Sequence, residues 1–156
     1  MAIEAVKAYF ESFGIADRIQ EFPVSSATVE LAAEALGCAP AHIAKSLTFL
    51  VAGQAVMVVA AGDAKIDNAK FKAQFHEKAK MLSPEEVERL IGHAVGGVCP
   101  FAVKDGVAVY LDVSLRRFET VYPACGSSNS AIGLTIPELE RYAAGCDWID
   151  VCKNWE

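Results

Sequence analysis

The sequence predicts an α+β protein built around a mixed β-sheet. Two observations favour this fold class: capped helices flank a middle region rich in strand patterns, and strands and helices do not alternate strictly as in a doubly wound fold. The chain has 156 residues, of which 53% are apolar and 22% are charged. This composition suffices for one hydrophobic core, so we expect residues 1–156 to form a single domain. The patterns leave open whether the sheet closes into a partial barrel.

Five helices are predicted from apolar spacing and from the signals at their ends. The first covers residues 3–13 and is closed by Gly14. The second runs from cap residues 25–28 to Gly37, and the third from Asp67 or Asn68 to Phe75. The fourth and fifth begin at the capping boxes 83–86 and 135–138 and end at Gly92 and Gly145. In the second helix, Leu31 and Leu36 are expected to point inward.

Strands are predicted where apolar residues alternate or run continuously. These stretches are 18–22, 45–51, 54–61, 107–112, 120–122, 131–134 and an edge strand at 148–151. Gly53 joins the second and third of them as a hairpin. The run 55–61 is apolar throughout, which predicts a central strand covered on both faces. It is too short to cross a bilayer, which takes about 20 residues, so no membrane span is predicted.

Charge and cysteine usage indicate the compartment and the partners. The five cysteines are odd in number and contain no C-x-x-C pair, which predicts reduced thiols in the cytoplasm. A net charge of −6 argues against non-specific coating of nucleic acid. Five lysines between positions 65 and 80 form a local basic excess, which suits phosphate contact, although a solvated helix face is the favoured interpretation for any one of them. No His, Asp or Glu cluster has the spacing of metal ligands, so no metal is expected.

The loop 96–102 is the first candidate site. Gly96 and Gly97 permit sharp bending and close approach of a ligand to the main chain, while Pro100 stiffens the exit. A tight turn that feeds a strand would look the same. Cys99 would need a histidine nearby to act as a nucleophile, and a small buried thiol that lines a pocket is the favoured interpretation. The loop lacks the spacing of dinucleotide and phosphate motifs.

Lys45 is the second candidate. It stands next to Ser46 at the start of a hydrophobic strand, where a lysine must either reach solvent or hold an anion. The sequence does not choose between these two roles.

Four short motifs form a recognisable set. In chain order they are Ile43-Ala44-Lys45-Ser46-Leu47, Gly96-Gly97-Val98-Cys99-Pro100-Phe101, Val109-Tyr110-Leu111-Asp112 and Thr120-Val121-Tyr122-Pro123. In this order and spacing they resemble the YbaK/EbsC family of aminoacyl-tRNA deacylases, which is related to the editing domain of bacterial prolyl-tRNA synthetases. The resemblance spans roughly residues 25–152 and implies a mixed sheet curled into a partial barrel and flanked by helices.

The resemblance also implies an activity. Such a protein is a free-standing, trans-editing enzyme that hydrolyses the ester between a wrong amino acid and the terminal adenosine of a tRNA, most often proline tRNA, without metal or other cofactor. Its partners would be the acceptor end of aminoacyl-tRNA and, as a candidate, prolyl-tRNA synthetase. The alternative from another class is a non-catalytic module that binds charged tRNA or a synthetase. A hydrolase that uses Cys99 as nucleophile ranks third.

The same resemblance assigns roles to residues. Lys45 is the functional lysine that anchors phosphate or ribose, and Gly97 of the Gly96–Gly97 pair offers the amide that orients the substrate. The substrate-binding residues implied with them are Gly96, Val98, Cys99, Pro100, Phe101, Asp112, Ser128 and Asn129. Members that remove cysteine tend to carry basic residues in the segment that matches 126–129, where this chain has Ser127-Ser128-Asn129. We therefore expect a small noncognate amino acid such as alanine, serine or a short non-protein analogue.

Overall fold

The computed structural model describes residues 2–143 and 145–155, so the limits of the expected domain, residues 1 and 156, lie outside the described residues. The helices are α1 (Ala2–Glu11), α2 (Val29–Leu36), α3 (Asn68–Phe75), α4 (Pro84–Leu90) and α5 (Ile136–Tyr142). The strands are β1 (Gln20–Glu21), β2 (Ile43–Val51), β3 (Gln54–Ala61), β4 (Lys65–Ile66), β5 (Ala108–Asp112), β6 (Thr120–Pro123), β7 (Ser130–Ala131), β8 (Leu134–Thr135), β9 (Asp147–Ile149) and β10 (Cys152–Lys153). A 3₁₀ helix, Val113–Arg117, follows β5.

Six strands form the main sheet, in the order β8-β6-β2-β3-β5-β9. The pairs β2–β3 and β6–β8 are antiparallel, whereas β2–β6, β3–β5 and β5–β9 are parallel, so the sheet is mixed. The sheet curls through 220° into a half-barrel, and the helices flank it. The predicted fold class is therefore confirmed.

The β2–β3 hairpin is the centre of the sheet. Its pairs run from Ala44↔Ala61 to Val51↔Gln54, and Ala52 and Gly53 form a two-residue turn with φ values of +48° and +79°. All residues of β3 after Gln54 are buried, as its uninterrupted apolar sequence predicts. The two strands are thus paired along their whole length, and the site is built on this hairpin.

The predicted helix signals are confirmed by local hydrogen bonds. Thr28 caps α2 through a bond from Leu31 N (3.2 Å), and Gly37 ends it in the left-handed conformation. The capping boxes that begin α4 and α5 are both present. The prediction that Leu31 points inward is wrong, because it is 40% exposed. Helix α2 packs through its small residues Ala32 and Ala33 against Ile43 instead.

Two strand predictions need correction. Residues 131–134 form two short strands, because β7 pairs with β1 while β8 pairs with β6. Gly133 lies between them, where a Cβ would come within 2.9 Å of the Tyr122 ring. Residues 18–22 provide only the two-residue β1, because Ala16–Arg18 is a 3₁₀ helix. The β4–β10 pair was not predicted.

No helix among the described residues is long and apolar enough to span a membrane.

Candidate functional site

A cavity of about 400 Å³ opens between α2, β2, the start of α4 and the loop at 95–98. The residues that line it are Ser26, Ala27, Thr28, Val29, Ala32, Ile43, Ala44, Lys45, Ser46, Thr48, Met81, Leu82, Pro84, Val87, Val95, Gly96, Val98, Tyr122, Ala124, Ser130 and Ala131. Most of these side chains are small or aliphatic, and hydroxyl groups are interspersed among them. A cavity of this volume is within the range of small-molecule binding sites in proteins.

The cavity lies beside a gap in the pairing of β2. On one side, β2 pairs with β3 along its length. On the other side, β2 pairs with β6 only at Ile43 and Ala44, and residues 80–82 contact β2 only from Thr48 onward. Residues 45–47 therefore have no strand neighbour on that side within the described part of the chain. This gap gives the cavity access to the main chain of β2.

Lys45 lines the cavity and bonds to the turn that follows β3. Its Nζ donates to the Gly62 carbonyl at 3.4 Å and to the Ala64 carbonyl. Burial is the main cause that lowers the pKa of Lys45. The side chain is therefore a partly desolvated cation, and such a cation attracts an anionic group more strongly than an exposed lysine does.

An ion pair holds the turn that receives Lys45. Asp63 lies between the two acceptor residues of that turn, and its carboxylate accepts two bonds from Arg117, at 2.6 and 3.0 Å. The Arg117 guanidinium lowers the pKa of Asp63. Ala61 at the start of the turn donates its N–H to the buried Ser114 hydroxyl (3.1 Å). The position of the Lys45 ammonium is thus fixed by contacts outside the cavity.

The two glycines of the 96–102 loop occupy different environments. Gly96 lines the cavity with a φ of +97°, and its N–H has no protein acceptor among the described residues. Gly97 is buried, and its N–H donates to the Ala94 carbonyl (3.0 Å). A Cβ on Gly97 would lie 2.6 Å from the main chain of Gly126 and Ser127. The free amide therefore belongs to Gly96, while Gly97 allows two loops to pack closely.

Cys99 lies next to a histidine, which the sequence could not reveal. Its Sγ is 3.5 Å from His93 Nε2, and the same nitrogen donates to the Phe101 carbonyl (2.8 Å). Both side chains are buried in the core, and burial raises the pKa of the Cys99 thiol to about 12 and lowers the pKa of His93. A protonated thiol beside a neutral imidazole is not an activated nucleophile. Neither residue lines the cavity.

The remaining predicted substrate-binding residues divide between wall and framework. Val98 lines the cavity, whereas Pro100 is buried away from it and Phe101 packs its ring 4.7 Å from that of Phe10. Asp112 is fully buried and uses both carboxylate oxygens to accept from main-chain N–H groups. It is a framework residue outside the cavity lining.

Ser128 and Asn129 tie the 126–130 loop to the segment before α2. The Ser128 carbonyl accepts from Ser26 N (2.7 Å), and Asn129 Nδ2 donates to the Phe22 carbonyl (3.0 Å). Neither residue lines the cavity, but their neighbour Ser130 does. The structure therefore places this predicted segment behind the wall rather than in it.

The chain matches a known protein family over most of its length. A family model described as "Aminoacyl-tRNA editing domain" matches residues 24–142, which include Lys45, the 96–102 loop and all of the residues that line the cavity. The chain belongs to the aminoacyl-tRNA editing domain family. The resemblance inferred from the four sequence motifs is thereby confirmed.

Relatives of this editing domain occur both free-standing and within a synthetase. The chain is 53% identical over 157 residues to the uncharacterized protein YwhH of Bacillus subtilis (strain 168), with full coverage of both. It is 30% identical over 125 residues to a proline–tRNA ligase of Lysinibacillus sphaericus (strain C3-41), a match that covers 80% of this chain and 22% of the ligase. A solved structure of a protein proposed to be a trans-editing enzyme for prolyl tRNA synthetase has a TM-score of 0.87 at 28% identity, and the match covers 97% of each chain.

Several lining residues of the editing domain were not predicted as site residues. They are the hydroxyl-bearing Ser26, Ser46, Thr48, Ser130 and Tyr122, together with small aliphatic residues of α2 and β7. Four separate segments supply them, so no local spacing links them. The signals in the sequence were that Ser46 directly follows Lys45 and that Ser46 and Tyr122 lie within two of the four motifs.

Proposed function

We propose that this editing domain is a free-standing deacylase that acts in trans on a mischarged tRNA, namely proline tRNA that carries a small noncognate amino acid. The observation that carries the proposal is the cavity itself, where a desolvated Lys45 and the Gly96 amide meet a wall of small side chains. The proline–tRNA ligase relatives support the choice of tRNA. The reduced thiols expected from the sequence suit the cytoplasm, where charged tRNA is found.

The chemistry needs little beyond positioning. The oxygen of a water molecule bonds to the ester carbonyl carbon, and the bond from that carbon to the ribose oxygen breaks. A proton from the water goes to the released ribose oxygen, which becomes a hydroxyl group. Because an aminoacyl ester is already reactive, hydrolysis requires only that the site hold the ester carbonyl in place and admit a water molecule. The Gly96 N–H suits the developing oxyanion, and the Lys45 ammonium suits a phosphate or ribose oxygen at the end of the tRNA.

The cavity wall suits a short amino-acid side chain. Ala32, Ala44, Ala124 and Ala131 all line it, and their small side chains leave room for a methyl or hydroxymethyl group. A pocket of this kind discriminates by roughly 10- to 200-fold per methylene. We therefore expect alanine or serine to be removed faster than larger amino acids.

The test is hydrolysis of a panel of charged tRNAs by the purified full-length protein. Proline tRNA charged with alanine, serine, cysteine and proline is compared with alanine tRNA charged with alanine. The expected result is faster release of a small noncognate amino acid from proline tRNA than of proline itself. Binding of the charged tRNAs without hydrolysis of any of them would overturn the proposal and would favour the non-catalytic module.

A further inference from the structure

Ser46 lies in the middle of the gap in β2 and directs its main-chain groups toward it. The N–H of Leu50 and the carbonyl of Thr48 bond outward, to Lys80 and Leu82, at 2.9 and 3.1 Å. Main-chain groups alternate in direction along an antiparallel strand, so even-numbered residues of β2 face away from β3. The N–H and the carbonyl of Ser46 therefore face the same side as the cavity that Ser46 lines.

Prolines end the pairing on both sides of Ser46. The ladder with β6 stops at Ala44↔Pro123. On the other side, the bridge Phe49↔Met81 sets an antiparallel register that would bring Pro84 opposite Ser46. Proline has no N–H to donate, and Pro84 begins α4. No strand in residues 2–143 or 145–155 is paired with this side of Ser46.

The accessible surface of Ser46 does not come from its hydroxyl. Ser46 is partly exposed, yet its Oγ is buried and has no hydrogen-bond partner. The surface that a ligand reaches thus belongs to the other atoms of the residue. This observation separates Ser46 from an ordinary cavity serine that offers its side chain.

We propose that the main chain of Ser46 binds the aminoacyl group of the substrate as if that group were one residue of a neighbouring antiparallel strand. The Ser46 N–H donates to the acyl carbonyl oxygen, and the Ser46 carbonyl accepts from the α-ammonium. An α-aminoacyl ester carries this donor and acceptor at the spacing of a peptide residue, so it completes the two-bond ring of an antiparallel pair. The inference rests on the proposed deacylase function, to which it adds the atoms that recognise the amino acid.

The recognition is independent of the amino-acid side chain. Every α-aminoacyl group offers the same two atoms to Ser46, so selection among amino acids is left to the cavity wall. An acyl group without an α-amino group would make one bond instead of two. The strand edge therefore selects the chemical class, and the wall selects the member of the class.

Amide hydrogen exchange by NMR on the full chain tests this directly. In the free protein, the Ser46 N–H should exchange at least about tenfold faster than those of Lys45 and Leu47, which bond to β3. The non-hydrolysable amide analogue of alanyl-adenosine should slow Ser46 exchange. Its desamino counterpart, propionyl in place of alanyl, should bind roughly 10- to 100-fold more weakly, since a bond to a charged group is lost.

Two results would overturn the inference. One is a Ser46 amide that is already as protected as its neighbours in the free protein. The other is an alanyl analogue that binds without slowing Ser46 exchange, or adenosine alone that slows it equally.

A pair of variants adds a functional measurement. Ser46→Pro removes the N–H on the open side of the strand, where proline is tolerated, and Ser46→Ala removes only the hydroxyl. The expected result is a kcat/KM for the proline variant at least about tenfold below that of the alanine variant, since a hydrogen bond is lost. If deacylation proceeds and the two variants match, the inference fails while the deacylase function stands. If no aminoacyl-tRNA is hydrolysed yet the alanyl analogue protects Ser46, the deacylase function fails and the aminoacyl site stands.

Discussion

The 96–102 loop has two parts with opposite surroundings, although its residues are consecutive. The cavity half, Gly96 and Val98, lines the cavity. The core half, residues 99–101, is buried: Cys99 contacts His93, and Phe101 packs against α1. Gly97 lies between the two cavity residues and forms the junction with a second loop, because a Cβ on it would lie 2.6 Å from the 126–127 main chain.

This difference teaches that residues within one motif can serve one site in different ways. The cavity half offers groups to a ligand, while the core half fixes the loop in the protein so that those groups stay in place. Changes on the cavity side should therefore alter turnover with little change in stability. Changes on the core side should alter stability more than turnover, and a change at the junction should alter both.

The largest effect is expected at the junction. In Gly97→Val the first added carbon would already meet main-chain atoms at 2.6 Å, so one of the two loops must move. We expect deacylation to be lost and the melting temperature to fall by several degrees, because overpacking of this kind costs about 1–3 kcal/mol. Deacylation assays beside thermal melts measure both. A variant that deacylates normally would mean that the 126–127 loop does not support the site.

On the cavity side, Lys45→Ala should lower kcat/KM by at least about tenfold, or about 1.4 kcal/mol, with little change in melting temperature. Lys7→Ala, which removes a partly exposed lysine that pairs with Glu21 outside the cavity lining, is the control. Burial lowers the pKa of Lys45, so the ammonium is lost at a lower pH than in a free lysine. Wild-type turnover, corrected for spontaneous hydrolysis, should therefore fall on the alkaline side, and the residual turnover of the variant should not. Equal rates in the folded variant would remove Lys45 from the site.

The sequence predicted the parts of the molecule that local chemistry determines. The caps at Thr28, Ser83 and Thr135 and the turn at Gly53 were readable because each involves residues within a few positions of one another. Leu31 was misplaced because α2 packs through alanines, and apolar spacing alone does not tell which residues are covered.

The site was only partly readable for the same reason. Lys45 and Gly96, two of the predicted site residues, line the cavity, whereas the N–H of Gly97, the predicted amide donor, is used within its own turn. Ser130 lines the cavity from a segment far beyond β2 in the sequence, so only the folded chain shows that the two meet. The gap at Ser46 depends on where two other segments stop pairing, which no pattern within β2 contains.

On the core side, Cys99→Ala should have a smaller effect on turnover than Lys45→Ala. Removal of the buried thiol leaves unfilled volume in the core, so we expect a destabilisation of about 1 kcal/mol and a melting temperature lower by about 2–4 °C. The best substrate should still be hydrolysed within about tenfold of the wild-type rate, because the substitution removes only side-chain volume behind the cavity wall. With a thiol pKa near 12, Cys99 should also resist iodoacetamide at neutral pH. A loss of about 10⁴-fold, with an acyl-thioester trapped on the wild-type protein by mass spectrometry, would make Cys99 a nucleophile instead.

The smallest effect is expected at an ion pair outside both halves of the loop. Arg18 and Glu138 bond at 2.7 Å, and the Arg18 guanidinium lowers the pKa of Glu138 to about 2. Glu138→Gln removes this charge but keeps an acceptor for Thr135 N in the capping box, so it isolates the ionic contribution. The two side chains are 39% and 30% exposed, and solvent screening should keep the loss below about 1 kcal/mol at pH 7.

Because the folded-state pKa of Glu138 is depressed, the stabilisation is present above the unfolded pKa, near 4.3, and disappears as the pH falls toward 2. Wild type and variant should accordingly differ in denaturant midpoint at pH 7, converge in strongly acidic buffer, and deacylate at the same rate. A difference in midpoint that persists unchanged at low pH would show that the charge contributes nothing and that the variant acts through packing.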